Sequence, residues 1–144
     1  MTADADGTFY VAWIGSHDGP AGRGLRVARS TDFGASWEHS QLADASSCAC
    51  CWNEMIAPNS GSVRVLYRDY GIRDMALAST DDGVTWTTPR SMGGERARHA
   101  DLGAAGRTVV AAWDEARGIL ISISHDLGTQ WSSPRQVSTD DMVA

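Results

Sequence analysis

Apolar and polar residues alternate with a period of two along several short runs of the chain. They are "TFYVAWIG" (8–15), "LRVARS" (25–30), "VRVLYRDYG" (63–71), "MALAS" (75–79), "TVVAAWDEA" (108–116) and "ILISIS" (119–124). Alternation with β-branched and aromatic content predicts strands with one face turned to a core. No stretch sustains the 3.6-residue period of a helix, so the pattern predicts an all-β chain. The strands recur in a fixed order, two alternating runs and then a turn. In the middle unit we expect a first strand near Cys51–Ala57, a second at Val63–Arg68, a third at Met75–Ala78 and a fourth after Trp86.

The turn is itself repeated. "STDFGASW" (30–37), "STDDGVTW" (79–86) and "SHDLGTQW" (124–131) begin 49 and then 45 positions apart. Each is followed by a short polar segment: "EHSQL", "TTPRSM" or "SSPRQV". About four short strands per 45–49 residues describes one blade of a β-propeller, with the turn joining third and fourth strands. Blades are expected at about 8–42, 48–92 and 97–138. The turn's residue types have physical roles. Gly34, Gly83 and Gly128 can take a positive φ without Cβ strain. Asp32, Asp81 and Asp126 can accept hydrogen bonds from N–H groups just downstream. Trp37, Trp86 and Trp131 are large enough to plug the space between neighbouring strands. These nine residues are read as structural.

The S/T-x-D-x-G-x-x-W pattern resembles the Asp-box, or bacterial neuraminidase repeat, of sialidases and related propellers, and the resemblance runs from Phe9 to about Val137. It implies four-stranded antiparallel blades whose boxes lie at the periphery, away from the active site. It also implies a ring of six. Three blades are half of that ring, so two chains, or one longer parent, would complete it. The chain enters just before the second strand of its first blade, and "DDMVA" at the other end reads as the lead-in to an inner strand. We therefore expect a homodimer in which each C-terminal "DMVA" completes the partner's first blade, because an open blade exposes an unpaired edge and an apolar face. The alternative is a fragment whose remaining blades lie elsewhere.

Composition narrows the function. The formal net charge is −6, and all 12 basic residues are Arg, scattered without a patch. That argues against nucleic acid as a partner. No apolar run approaches the roughly 20 residues of a membrane-spanning helix. The first residues lack the basic and apolar regions of a signal peptide. The compartment stays open, since an export signal removed on maturation is consistent with this sequence.

Strand direction sorts the loops. First–second and box turns share one face. Second–third loops and blade connections share the other, where propeller sites gather. That face holds Arg68, Asp69, Tyr70, Arg73 and Asp74 in "YRDYGIRD", and Glu95, Arg96, Arg98, His99 and Asp101 in "GGERARHAD". It also holds Glu54, Asp114, Glu115 and Arg117. The sialidase resemblance implies an arginine cluster for a substrate carboxylate, a Tyr nucleophile backed by an acid, and an Asp proton donor. Arg68, Arg73, Arg96 and Arg98 are candidates for the cluster, with Asp69 and His99 as further ligand contacts. Tyr67 or Tyr70 and Asp74 are the nearest candidates for chemistry. The family's Arg-Ile-Pro motif is absent, since Arg68 stands in "YRDY", and no Tyr or Asp matches the catalytic set residue by residue. The leading expectation is an anionic or glycan ligand, bound and in one version hydrolysed. The bland reading is that Arg68–Asp69 and Arg73–Asp74 pair and brace a loop.

"CACC" places Cys48, Cys50 and Cys51 within four residues at the start of an inner strand. Three readings stand: a copper or zinc site built on thiolates, with His99 or a second chain adding a ligand; a disulfide or redox pair, Cys48–Cys51 across a turn; or a buried structural trio. From Cys48 to Trp86 the chain also resembles uncharacterised bacterial Asp-box proteins in which C-x-C-C precedes a "YRD…RD…S-x-D-x-G-x-x-W" run. That resemblance implies a shared site. The last alternative is a scaffold or fragment with no activity of its own.

Overall fold

The structure is a computed structural model that describes residues 1–16, 22–93, 97–115 and 118–137. It contains three four-stranded antiparallel sheets and, among the described residues, no helix. The first sheet orders β1 (Thr2–Ala3), β2 (Phe9–Ser16), β3 (Arg23–Ser30) and β4 (Gln41–Asp44). The second orders β5 (Glu54–Asn59), β6 (Ser62–Arg68), β7 (Met75–Thr80) and β8 (Arg90–Ser91). The third orders β9 (Arg98–Ala105), β10 (Thr108–Glu115), β11 (Gly118–Ser124) and β12 (Arg135–Gln136). The first strands β1, β5 and β9 lie against one another in turn. Each sheet is thus a meander starting at a shared axis and running outward, the arrangement of a partial β-propeller of three blades.

Two expectations about strand limits are corrected. The first blade does not lack its inner strand, because Thr2 and Ala3 pair with Tyr10 and Phe9 across a tight turn. The middle blade's inner strand begins at Glu54, not near Cys51. The exchange predicted for "DMVA" falls on residues 141–144, outside the described residues.

Burial follows blade position. β6 reads "SVRVLYR" and is buried on both faces, because the middle blade is flanked twice. Val63, Val65 and Tyr67 face the first blade and meet Tyr10, Leu25 and Val27. Leu66, Met75 and Leu77 face the third and meet Leu102, Val109, Ala111 and Trp113. The box tryptophans obey the same geometry. Trp86 packs against the first core and Trp131 against the second, each reaching toward the blade before its own. Trp37 belongs to the first blade and is 43% exposed.

The repeated turns close as expected at both ends of the chain. The Ser30 hydroxyl donates to Asp32 Oδ1 at 2.8 Å and accepts from Gly34 N–H at 2.9 Å. The Ser36 hydroxyl and N–H, with Ser30, hold the Asp32 carboxyl down at about 2. Ser124, Asp126 and Gly128 repeat the pattern at 2.7 and 2.9 Å. The middle turn differs. There Thr80, not Ser79, occupies the strand-end position, since Val63 pairs with Thr80 as Phe9 does with Ser30. The turn from that position to its Trp is one residue shorter. Asp82 therefore replaces Asp81 as the clamp, accepting from Thr80 Oγ1, Val84 N–H and Thr85 N–H at 2.7–2.8 Å. The end turns need two positive-φ residues each, Phe33–Gly34 and Leu127–Gly128, while the middle one needs only Gly83. Asp81 is released to meet Arg64.

Candidate functional site

The loops opposite the boxes are laced together by backbone. Cys48 N–H donates to Arg68 O at 2.9 Å, Tyr70 N–H to Ser46 O at 3.1 Å, and Ser47 bridges Asp69. The first blade's exit segment is thus seated along the second–third loop of the middle blade. That seating decides the fate of the acidic candidates. Asp69 Oδ1 accepts the N–H groups of Gly71 and Ile72, which closes the loop on itself. Asp74 receives the Ser91 hydroxyl and the Gly93 N–H, tying the loop to the outer strand and the next blade's entry. Burial raises its carboxyl above the ordinary range. The loop-bracing expectation is right in its result and wrong in its partners: among the described residues the ion pairs are Arg29–Glu38, Arg64–Asp81 and His99–Asp114.

The two tyrosines separate. Tyr67 is fully buried beside Asp44 and Asp69. Burial, then the Asp44 carboxylate, push its hydroxyl far above the ordinary value, so it stays protonated. Asp44 is itself raised, by burial first and by Asp69. Closed from solvent, Tyr67 cannot attack a ligand on the loop face in this conformation. Tyr70 is exposed on the loop, as is Arg73, which takes a positive φ of 57°.

Contacts link the middle and third blades on this face. Cys51 Sγ accepts a hydrogen bond from Arg68 Nη1 at 4.0 Å. Next in the chain, Trp52 is 75% exposed and meets His99 edge-on with ring centroids 5.8 Å apart. His99 Nδ1 lies 3.3 Å from Asp114 Oδ1. His99 reaches this position through a bulge. Trp113 pairs with Ala100 and Asp114 with Arg98, leaving His99 as the extra residue at φ 30°. A bulge re-aims one side chain without disturbing the rest of a strand. Arg98 is exposed beside it. Arg96, Glu95 and Arg117 lie outside the described residues. Asp101 and Glu54 sit on the inner strands β9 and β5.

Trp52 is the residue the sequence reading did not single out. Its signal was available: of the three tryptophans outside the boxes, it alone falls outside the alternating runs, directly after the cysteines.

The cysteines occupy a turn before β5, not a strand. Cys48 and Cys50 form a disulfide, and Cys51 is free. The disulfide reading named Cys48–Cys51; the bond instead joins Cys48 and Cys50, because the turn folds Cys50 back over Cys48.

No protein-family model and no curated protein matches the chain. Solved structures do. The Hadza microbial sialidase Hz136 superposes with a TM-score of 0.60 at 20% identity, over 96% of this chain and 32% of that one. The fungal lectin of Aleuria aurantia, described as a six-bladed β-propeller with a novel fucose recognition mode, gives 0.54 at 14% identity, over 96% and 47%. A glycosyl hydrolase from Bacteroides ovatus gives 0.52 at 14%, over 96% and 48%. The chain spans about a third to a half of the length of these proteins. What it shares with them is the fold, a β-propeller, of which this chain forms three four-stranded blades.

Proposed function

We infer that this chain is a glycan-binding half-propeller whose ligand docks on the face opposite the boxes. Trp52 carries the reading. An indole this exposed, steadied at its edge by His99, offers a flat apolar plate of the kind that stacks on a sugar ring. Arg68, Arg98 and His99 supply donors around it, which suits an anionic sugar. Binding is favoured over hydrolysis because the tyrosine with carboxylate neighbours, Tyr67, is sealed in the core. The neighbours whose names include a sialidase and a fucose lectin support the same ligand class.

The test is a glycan array probed with the purified protein, followed by calorimetry on the best sialylated and fucosylated hits. Trp52→Ala is expected to weaken binding roughly tenfold or more, the usual loss for an aromatic anchor. Arg68→Ala is expected to cost sialylated glycans more than neutral ones. Binding that survives Trp52→Ala unchanged, or an array without hits, rules the reading out.

The same reading includes ring closure by a second copy. Trp13, Arg26 and Leu42 form one cross-strand row on the first blade's outer face, with Trp37 also exposed. On the third blade Ile119, Ile121 and Ile123 alternate onto the outer face. Among the described residues neither apolar face has the neighbour the middle blade enjoys on each side, and two copies supply six blades. Light scattering is expected to give twice the 15.4 kDa chain mass, reverting to the monomer in Trp37→Arg. A stable monomer at every concentration excludes self-closure.

A further inference from the structure

The three cysteines are a second chemical site, which shares only Arg68 with the glycan reading. Their Sγ atoms all lie within 4.8 Å of one another, and Cys50 Sγ is 3.5 Å from Cys51 Sγ. Two chemistries compete for such a group. In thiol–disulfide exchange, the Cys51 thiolate would attack Cys50 and expel Cys48. That displacement needs the three sulfurs nearly in line. With an ordinary S–S bond of about 2.05 Å, the observed separations hold the angle at Cys50 below about 120°. The triangle is too compact for internal exchange.

A compact triangle is what three thiolates around one ion require. At a metal–sulfur distance of about 2.3 Å, ligand sulfurs sit about 4 Å apart. The group found among the described residues comprises these three cysteines and no fourth ligand. Zinc in a structural site takes four ligands, whereas a soft monovalent ion accepts three. Arg68 adds the charge argument, since its guanidinium donates to Cys51 Sγ and offsets an anionic centre. The Cys48 N–H is anchored to the Arg68 carbonyl, so the same residue positions both ends of the turn. Cys50 is exposed, which gives a reductant and an ion access.

We propose that Cys48, Cys50 and Cys51 bind one Cu(I) as a tris-thiolate, and that the Cys48–Cys50 disulfide is the closed form of this site. The chemistry balances with a dithiol as reductant. It delivers two electrons and two protons to the Cys48–Cys50 bond and becomes a disulfide. Cu(I) then displaces three protons from the three thiols. A disulfide oxidant takes two electrons from the Cys48 and Cys50 thiolates and two protons from water to become a dithiol; the Cys48–Cys50 bond re-forms, the ion leaves and Cys51 takes up the third proton.

The experiment is anaerobic. Protein reduced with a phosphine and freed of it should show three reactive thiols by Ellman titration, and the untreated protein one. The reduced form should then take one equivalent of Cu(I) from a chromophoric chelator, and the disulfide form none. Cys50→Ser and Cys51→Ser, both at exposed or half-exposed positions, should each weaken Cu(I) binding at least 100-fold while the far-ultraviolet spectrum stays unchanged. X-ray absorption should report three sulfur neighbours. Three titratable thiols that leave Cu(I) with the chelator would overturn the proposal. So would either serine variant binding as the wild type does, or Zn(II) displacing the copper at equal concentration.

Discussion

Trp113→Ala is expected to lower the unfolding free energy by about 3–5 kcal/mol, the usual cost of emptying a large aromatic site in a core. Trp113 is the largest fully buried side chain and lies at the seam between the middle and third blades. Its ring closes against Gly93, where an added Cβ would lie 2.5 Å from Trp113 Nε1 and 2.6 Å from Cε2. The indole N–H donates to Glu115 at 3.3 Å. The seam is made by one rigid plate, so nearby side chains cannot flow into the gap. Against a total of about 5–15 kcal/mol for a domain, the loss takes a large share. Urea unfolding followed by fluorescence and circular dichroism measures it. Gly93→Ala should destabilise by the converse route, forcing the ring away. Loss below about 1 kcal/mol in Trp113→Ala would mean that the two blades do not pack as described.

Arg64→Ala is expected to cost about 2–3 kcal/mol, mainly through unpaired carbonyls. Among the described residues Arg64 is the buried cation: its side chain is 3% exposed, while that of its partner Asp81 is 78% exposed. Nη1 donates to Thr80 O at 2.7 Å and to Val63 O at 3.0 Å, and Nη2 to Asp81 Oδ1 at 2.8 Å. The stem passes against Gly128 of the third blade's turn. One side chain therefore ties the middle blade's two strand ends to the next blade. The asymmetry of burial separates the two partners. Without Arg64 the buried carbonyls lose donors, whereas Asp81 is still hydrated. Asp81→Asn should cost less, about 1–2 kcal/mol, because the amide oxygen still accepts from Nη2 while the buried guanidinium loses its counter-charge.

Acid titration checks the pair. The hydrogen bond from Arg64 holds the Asp81 carboxyl below its ordinary value of 3.8. A lowered carboxylate contributes stability that is present above 3.8 and is lost as pH falls through the folded value. The gap between wild type and Asp81→Asn should therefore be constant near neutrality and close in acid below 3.8. A gap that widens in acid would contradict the ion pair.

The middle turn shows where reading letters stops. Its eight residues match the other two copies, yet the clamp falls on Asp82 because strand register, not spelling, decides which residue ends β7. The release of Asp81 to Arg64 depends on the same register. The sequence also offered Tyr67 and Tyr70 as equal candidates for chemistry. Only the packing of the first blade against β6 buries one with Asp44 and leaves the other in water.

From its sequence alone the chain declared an all-β fold of three blades, the meander order within them and the turn that repeats, but not the first blade's own inner strand at Thr2–Ala3. Those follow from local alternation and turn chemistry, which act over a few residues. The tertiary structure decided the Cys48–Cys50 bond, the bulge that turns His99 toward Trp52, and the sealing of Tyr67. Each depends on where a neighbouring blade or segment sits, and contacts across tens of residues leave no periodic trace in a single chain.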